Sequence, residues 1–167
     1  FNGSVDYSDA HTGTAALRIV CKEAKRGSRE SPRGGYCPKM VALEPNTEYV
    51  FSMWTKAAGL PAGGATVSLH PQPLGVTVPT NASWTYTERS FKTDDKRTNT
   101  GVYLLVYQPG TVWYDDVRLV RKGGEGNLLP NPGFENPGPA PVDLAEGVPW
   151  KALPAFAKAD DALAFLR

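Results

Sequence analysis

The sequence predicts an all-β fold, and three observations predict it. Short apolar segments recur with the period-two alternation of half-buried strands. Turn residues punctuate them, with 17 glycines and 15 prolines in 167 residues, well above the roughly 12% typical of soluble proteins. Helical periodicity is scarce before the last residues of the chain. Short strands joined by turns make an antiparallel sandwich, jelly roll or barrel, because two packed sheets bury one face each without helices.

The strands follow in order. Ala15–Cys21 puts Leu17 and Ile19 on one face. Tyr36–Leu43 is a second apolar stretch, and 47–55 places Tyr49, Phe51 and Met53 on one face against Val50, Ser52 and Trp54 on the other. Segments 66–70, 86–91, 102–107 and 111–120 complete the set, separated by Gly63–Gly64, 99–101 and Pro109–Gly110. After Arg121 the character changes. Residues 122–126 form a flexible joint, and 127–150 carry Pro130, Pro132, Pro137, Pro139, Pro141 and Pro149, as a linker or extended chain would. Residues 151–167 carry the one helix signal, with Pro154 near its start and Phe156, Ala159, Leu163 and Leu166 on one stripe. The predicted organisation is therefore a sandwich over 1–121, a Gly/Pro-rich linker over 122–150, and a short helix or the start of a next module over 151–167.

Eighteen basic residues against 17 acidic ones leave a net charge of +1. A nucleic-acid binder would show a basic footprint, so no nucleic-acid partner is expected and a neutral partner is. No run approaches the roughly 18 apolar residues needed to span a bilayer, so no membrane partner is expected either. The opening residues, 1–10, lack the basic-then-apolar pattern of a secretion signal. Cys21 and Cys37 are too few for a thiolate zinc site and too far apart for a Cys-x-x-Cys motif. They make either one disulfide, which would close the Arg-rich connection and imply an oxidising compartment, or two buried thiols.

Three stretches together resemble the jelly-roll carbohydrate-binding modules that accompany xylanases and other glycoside hydrolases, those of families four, nine, sixteen and twenty-two. The first is Ala10-His-Thr-Gly-Thr-Ala-Ala-Leu-Arg-Ile19, similar to the family's His-Ser-Gly followed by a Leu-Arg-Ile strand. The second is Leu43-Glu-Pro-Asn-Thr-Glu-Tyr-Val-Phe-Ser-Met-Trp-Thr-Lys-Ala57, and the third is Gly110-Thr-Val-Trp-Tyr-Asp-Asp-Val-Arg-Leu119, which resembles the closing strand. The resemblance implies a galactose-binding-like jelly roll, a secreted or cell-surface location and a polysaccharide or oligosaccharide partner. It also implies a non-catalytic module attached to an enzyme in a longer protein. Asn127-Leu-Leu-Pro-Asn-Pro-Gly-Phe-Glu135 resembles the family's opening strand but follows the closing one. Residues 1–121 thus read as a module lacking its first strand, and residue 127 as the start either of another module or of a replacement strand that folds back or exchanges with another copy or domain.

In the resembled family a structural calcium lies near the chain ends. Carried over, its ligands are Asp115 or Asp116, the loop at Thr12 and Gly13, and Glu135 of the displaced strand. With Val117 and Leu119 facing the core, alternation sends Asp115 inward and Asp116 outward. A sugar site needs exposed rings that stack on pyranose C–H faces, with polar groups for the hydroxyls. Trp54 leads the candidates, joined by Tyr103, Tyr107, Trp113 and Trp84, with Gln108, Asn81, Arg89 and Glu88 as hydroxyl partners; each ring is alternatively core packing. The basic loop from Lys22 to Arg33 reads as a solvated hairpin tip or a contact for an acidic polysaccharide. No catalytic residue is assigned. His11 and His70 are the 2 histidines, and no Gly-x-Ser-x-Gly elbow, phosphate-binding loop or His-Glu-x-x-His helix is present. Asp115 and Asp116 are adjacent on one strand and do not flank a glycosidic bond. The rival reading, from another class, is a structural sandwich serving as a spacer or assembly unit.

Overall fold

The computed structural model describes residues 2–23 and 40–136. The predicted C-terminal helix, most of the basic loop and Tyr36–Cys37 lie outside the described residues. Nine strands are described: β1 (Asn2–Asp6), β2 (Ala16–Cys21), β3 (Val41–Ala42), β4 (Glu48–Ala58), β5 (Ala65–His70), β6 (Leu74–Thr77), β7 (Thr85–Lys92), β8 (Asn99–Val106) and β9 (Gly110–Arg121). They form two antiparallel sheets, one of five strands in the order β1-β2-β9-β4-β7 and one of four in the order β3-β8-β5-β6. The all-β sandwich expected from the alternation is the fold observed. No described helix is long and apolar enough to cross a membrane.

The inward residues of both sheets meet in one core. Tyr49, Phe51 and Met53 of β4 and Val112, Tyr114 and Leu119 of β9 face Val67 and Leu69 of β5 and Val102, Leu104 and Val106 of β8, all of them buried. This is the alternation of the sequence turned into packing. β1 and β6 were not foreseen. Asn2–Asp6 and Leu74–Thr77 hold glycine and few large apolar residues, and both lie at sheet edges, where packing demands little.

Two expectations change. The compact unit runs to Glu135, past the boundary placed at Arg121, because Leu129 and Phe134 join the core. The segment lies along β9 beyond the end of β2: Leu128 N–H donates to the Leu119 carbonyl at 2.8 Å and Val117 N–H to the Pro132 carbonyl at 2.9 Å. Asn127 adds bonds to both peptides of this stretch, accepting from Leu119 N–H and donating to the Val117 carbonyl. The second change concerns the disulfide. Cys21 is a buried free thiol whose Sγ donates to the Glu23 carbonyl at 3.4 Å. It follows Ile19 on the inward side of β2, so its sulfur serves the core as a small hydrophobe.

Candidate functional site

The outer face of the five-stranded sheet is shaped by one irregularity. β4 and β9 pair in regular register from Tyr49 to Ser52 and again from Trp54 to Ala58, with a shift between Ser52 and Trp54. The extra residue falls in β9 at Asp116–Val117, which together stand opposite Met53, and Asp116 takes a left-handed φ of 47°. Alternation therefore breaks there. Tyr114 and Val117 both face the core, and Asp115, predicted to point inward, stands opposite the outward Trp54.

Asp115 is nevertheless fully buried, because the connection between β1 and β2 closes over it. Its Oδ2 accepts the backbone N–H groups of His11 at 2.8 Å and Thr12 at 3.1 Å, and its Oδ1 accepts Asp116 N–H at 2.7 Å. Burial pushes its pKa up, the three amides pull it back, and the neighbouring Asp116 charge adds to the rise. Asp116 accepts the Thr12 hydroxyl and, at 2.7 Å, the Nδ1–H of His11; an ionised carboxylate is acceptor-only, which fixes the imidazole's role. From the other side Glu135 accepts Thr14 N–H, the Thr14 hydroxyl and Ala15 N–H. The Thr14 hydroxyl is the main cause of a Glu135 pKa below the usual carboxylate range. A Cβ on Gly13, whose φ is 64°, would collide with the Glu135 carboxylate, so glycine is required there.

The residues expected to hold calcium are thus gathered around one loop. Their donors are all oxygens, which suits a hard cation. They grip backbone N–H groups from two sides, and among the described residues no three His, Cys, Asp or Glu side chains converge on a point.

The same connection lies across the aromatic face. Trp113 Nε1 donates to Asp6 at 2.8 Å and Trp84 Nε1 to Asp9 at 3.2 Å. Lys56 pairs with Asp9. The His11 ring stacks on Trp54 with centroids 3.7 Å apart and planes 15° from parallel. Trp113 is flanked in register by Arg18 on β2 and Lys56 on β4, whose cations stand 5.7 and 5.3 Å from its ring centre. Beyond this covered zone is a recess of about 290 Å³ lined by Ser52, Trp54, Tyr86, Asp116 and Arg118. Tyr86, directly opposite Trp54 on β7, is 48% exposed, and its hydroxyl donates to Glu88 at 2.6 Å. That contact raises the Tyr86 pKa.

Of the predicted sugar-binding residues, the structure places Trp54 and Trp113 on this face, and Trp54 alone lines the recess. Tyr103 stands on the outer face of the other sheet, opposite Ser68 and edge-on to His70. Tyr107 and Gln108 follow β8, where their N–H groups donate to the Gly64 carbonyl. The five do not form one row. Sequence reasoning missed Tyr86, Ser52 and Arg118 as a group; alternation puts each outward, but their convergence depends on the β4–β7 and β4–β9 registers.

No protein-family model matches the chain, and no curated protein does. Solved structures do match. "Family 16 Carbohydrate Binding Module-2" aligns with a TM-score of 0.52 at 23% identity, over 71% of this chain and 84% of that one. "CBM4 structure and function" gives 0.52 at 16% identity, over 71% and 77%. The fold is that of carbohydrate-binding modules. The module fold also matches a part of the "Bacteriophage CBA120 tailspike protein 4 enzymatically active domain", at a TM-score of 0.54 and 8% identity, over 71% of this chain but 18% of that one. At these identities the shared property is the module fold, and the site must be argued from this chain's own residues.

Proposed function

We propose that this protein is a non-catalytic carbohydrate-binding module of a secreted multi-domain protein, holding a polysaccharide in the recess beside Trp54 and Tyr86. One observation carries the reading: on a sheet face of a carbohydrate-binding fold, an exposed tyrosine ring borders a recess that also presents Ser52, Asp116 and Arg118. The ring supplies a stacking surface for sugar C–H groups, and the polar side chains supply donors and acceptors for hydroxyls. Such a module changes no bond. It raises the local concentration of an attached catalytic domain on its substrate.

The test is a glycan panel of soluble xylan, β-glucan and an anionic polysaccharide, read by mobility shift and tryptophan fluorescence. Tyr86→Ala is expected to abolish the shift and Tyr103→Ala to leave it unchanged, since Tyr103 stands on the opposite face. The reverse pattern would move the site to the four-stranded sheet. A specific observation favours the second reading, a structural sandwich: the indole N–H groups of Trp84 and Trp113 are already engaged by Asp9 and Asp6. Silence of a folded sample across the panel would select it.

The proposal extends to calcium, with Asp115, Asp116 and Glu135 as its carboxylates and Thr12 and Gly13 as the loop they enclose. Calcium would tie the three acids to one centre and relieve the repulsion between adjacent Asp115 and Asp116. Millimolar calcium is then expected to raise the melting temperature above that in chelator. An identical melt in both would leave the loop's own N–H, hydroxyl and imidazole groups as the partners of these acids.

A further inference from the structure

Trp54, the aromatic at the floor of the recess, is flanked by two rings of the same chain. Tyr86 is tilted beside it at 5.4 Å and 49°. His11 lies almost flat on it, at 3.7 Å and 15°. A flat polar ring on an indole face, anchored at its rim by a hydrogen bond, is the arrangement a pyranose adopts on tryptophan. The rim anchor is Asp116, which also lines the recess. Trp84 closes the outer side, edge-on to the imidazole at 5.9 Å.

The backbone and the ring of His11 are held by different groups. The His11 N–H is fixed by buried Asp115, and the next residue is fixed by both aspartates. The ring is held by Trp54 and Asp116. A side-chain rotation therefore removes the imidazole from Trp54 without releasing the loop. It leaves an indole face and an acceptor oxygen of Asp116 open and continuous with the recess.

We propose that the His11 imidazole holds the place of a sugar ring on Trp54, and that a glycan chain seated in the recess displaces it and gains one further subsite. This rests on the carbohydrate-binding reading above. The ligand class is a linear glycan, two adjacent sugars of which cover the Tyr86 and Trp54 rings, whose centres are 5.4 Å apart. The ligand-free protein keeps its tryptophan covered, and binding exchanges one stacked ring for another.

The experiment titrates the full chain and its His11→Ala variant with xylohexaose, cellohexaose and laminarihexaose, and with the corresponding trimers. Removing the competing ring is expected to tighten hexamer binding about tenfold, the effect of roughly one aromatic contact. The trimers, long enough to cover both rings, are expected to gain by a similar factor. Should His11→Ala fail to fold, His11→Asn removes the stack with a smaller change in polarity. Independently, the His11 ring protons, shifted by the Trp54 ring current in the free protein, are expected to move towards solvent-exposed positions when the unsubstituted chain is saturated with hexamer. If the unsubstituted chain binds while His11→Ala binds no better and the ring protons stay in place, the subsite is overturned and the binding reading stands. If neither protein binds any of the sugars, the carbohydrate-binding reading falls and the subsite with it.

Discussion

On the five-stranded sheet the outward residues of β4 and β9 include Trp54, Lys56 and Trp113, and the connection from Asp6 to Thr14 supplies a partner to each tryptophan. On the four-stranded sheet the outward residues of β5 and β8 are Thr66, Ser68, Tyr103 and Leu105, where His70 meets Tyr103 edge-on at 6.3 Å. The two faces share the same period-two pattern. Their difference shows that alternation decides which side of a sheet a ring occupies, while a connection distant in sequence decides whether that ring is available. The indoles of Trp84 and Trp113 are bonded through Nε1 to carboxylates, whereas Tyr86, bordering an open recess, keeps 48% of its surface exposed.

Three measurements test this contrast. The largest effect is expected from Asp115→Ala. It removes the buried acceptor shared by the His11, Thr12 and Asp116 amides, for a loss of about 3 kcal/mol in urea unfolding, whereas Ser68→Ala on the other face is expected to stay within about 0.5 kcal/mol. Equal losses would mean that the covering connection adds nothing to the five-stranded face. A smaller effect is expected from Trp113→Phe, which keeps a ring between Arg18 and Lys56 but deletes the bond to Asp6. About 1 kcal/mol should be lost, and an unchanged midpoint would make that bond incidental.

The smallest effect is a pH slope. Asp6 is held below its usual range by the Ser8 hydroxyl first and the Trp113 indole next, and Glu135 by Thr14. Both folded pKa values are depressed, so their stabilisation is complete above the unfolded values of 3.8 and 4.5. It is lost as pH falls through the folded ones. Asp115 runs the other way, since a raised pKa makes its ionisation destabilising as pH climbs past 3.8. The urea midpoint of the unsubstituted chain should therefore fall between pH 5 and 3, and Asp6→Asn with Glu135→Gln should flatten that fall. A slope that survives both substitutions would assign the acid sensitivity to other groups, Asp94 first, which Arg97 holds at about 2.

Strands with strong alternation were legible within a few residues. Tyr49, Phe51 and Met53 on one face of β4 are buried as the pattern requires. Thr12, Gly13, Asp115, Asp116 and Glu135 were legible as a group through the resemblance, and the structure gathers them around one loop; the contacts of His11 were not legible. What was not legible depends on register. Asp115 was sent inward because alternation assumes no extra residue, and the bulge is visible only once Trp54 is seen opposite Asp115. Tyr86 reads as one more strand aromatic until β7 is aligned on β4. The partners of Trp84 and Trp113 are aspartates in a connection far away in sequence, and nothing local to either tryptophan points to them.

The grip of Glu135 on Thr14 and Ala15 spans a sequence separation of 121 residues at its longest. A ribosome delivers the two ends of that contact at widely separated times. While residues up to β9 emerge, the acids at 115 and 116 can already seat the first part of the connection, but its second half waits for the last residues of the compact unit. Topology of this kind folds slowly and closes late. The nascent chain therefore passes through a stage in which both sheets are formed while Thr14 and Ala15 still lack their acceptor and the core still lacks Leu129 and Phe134.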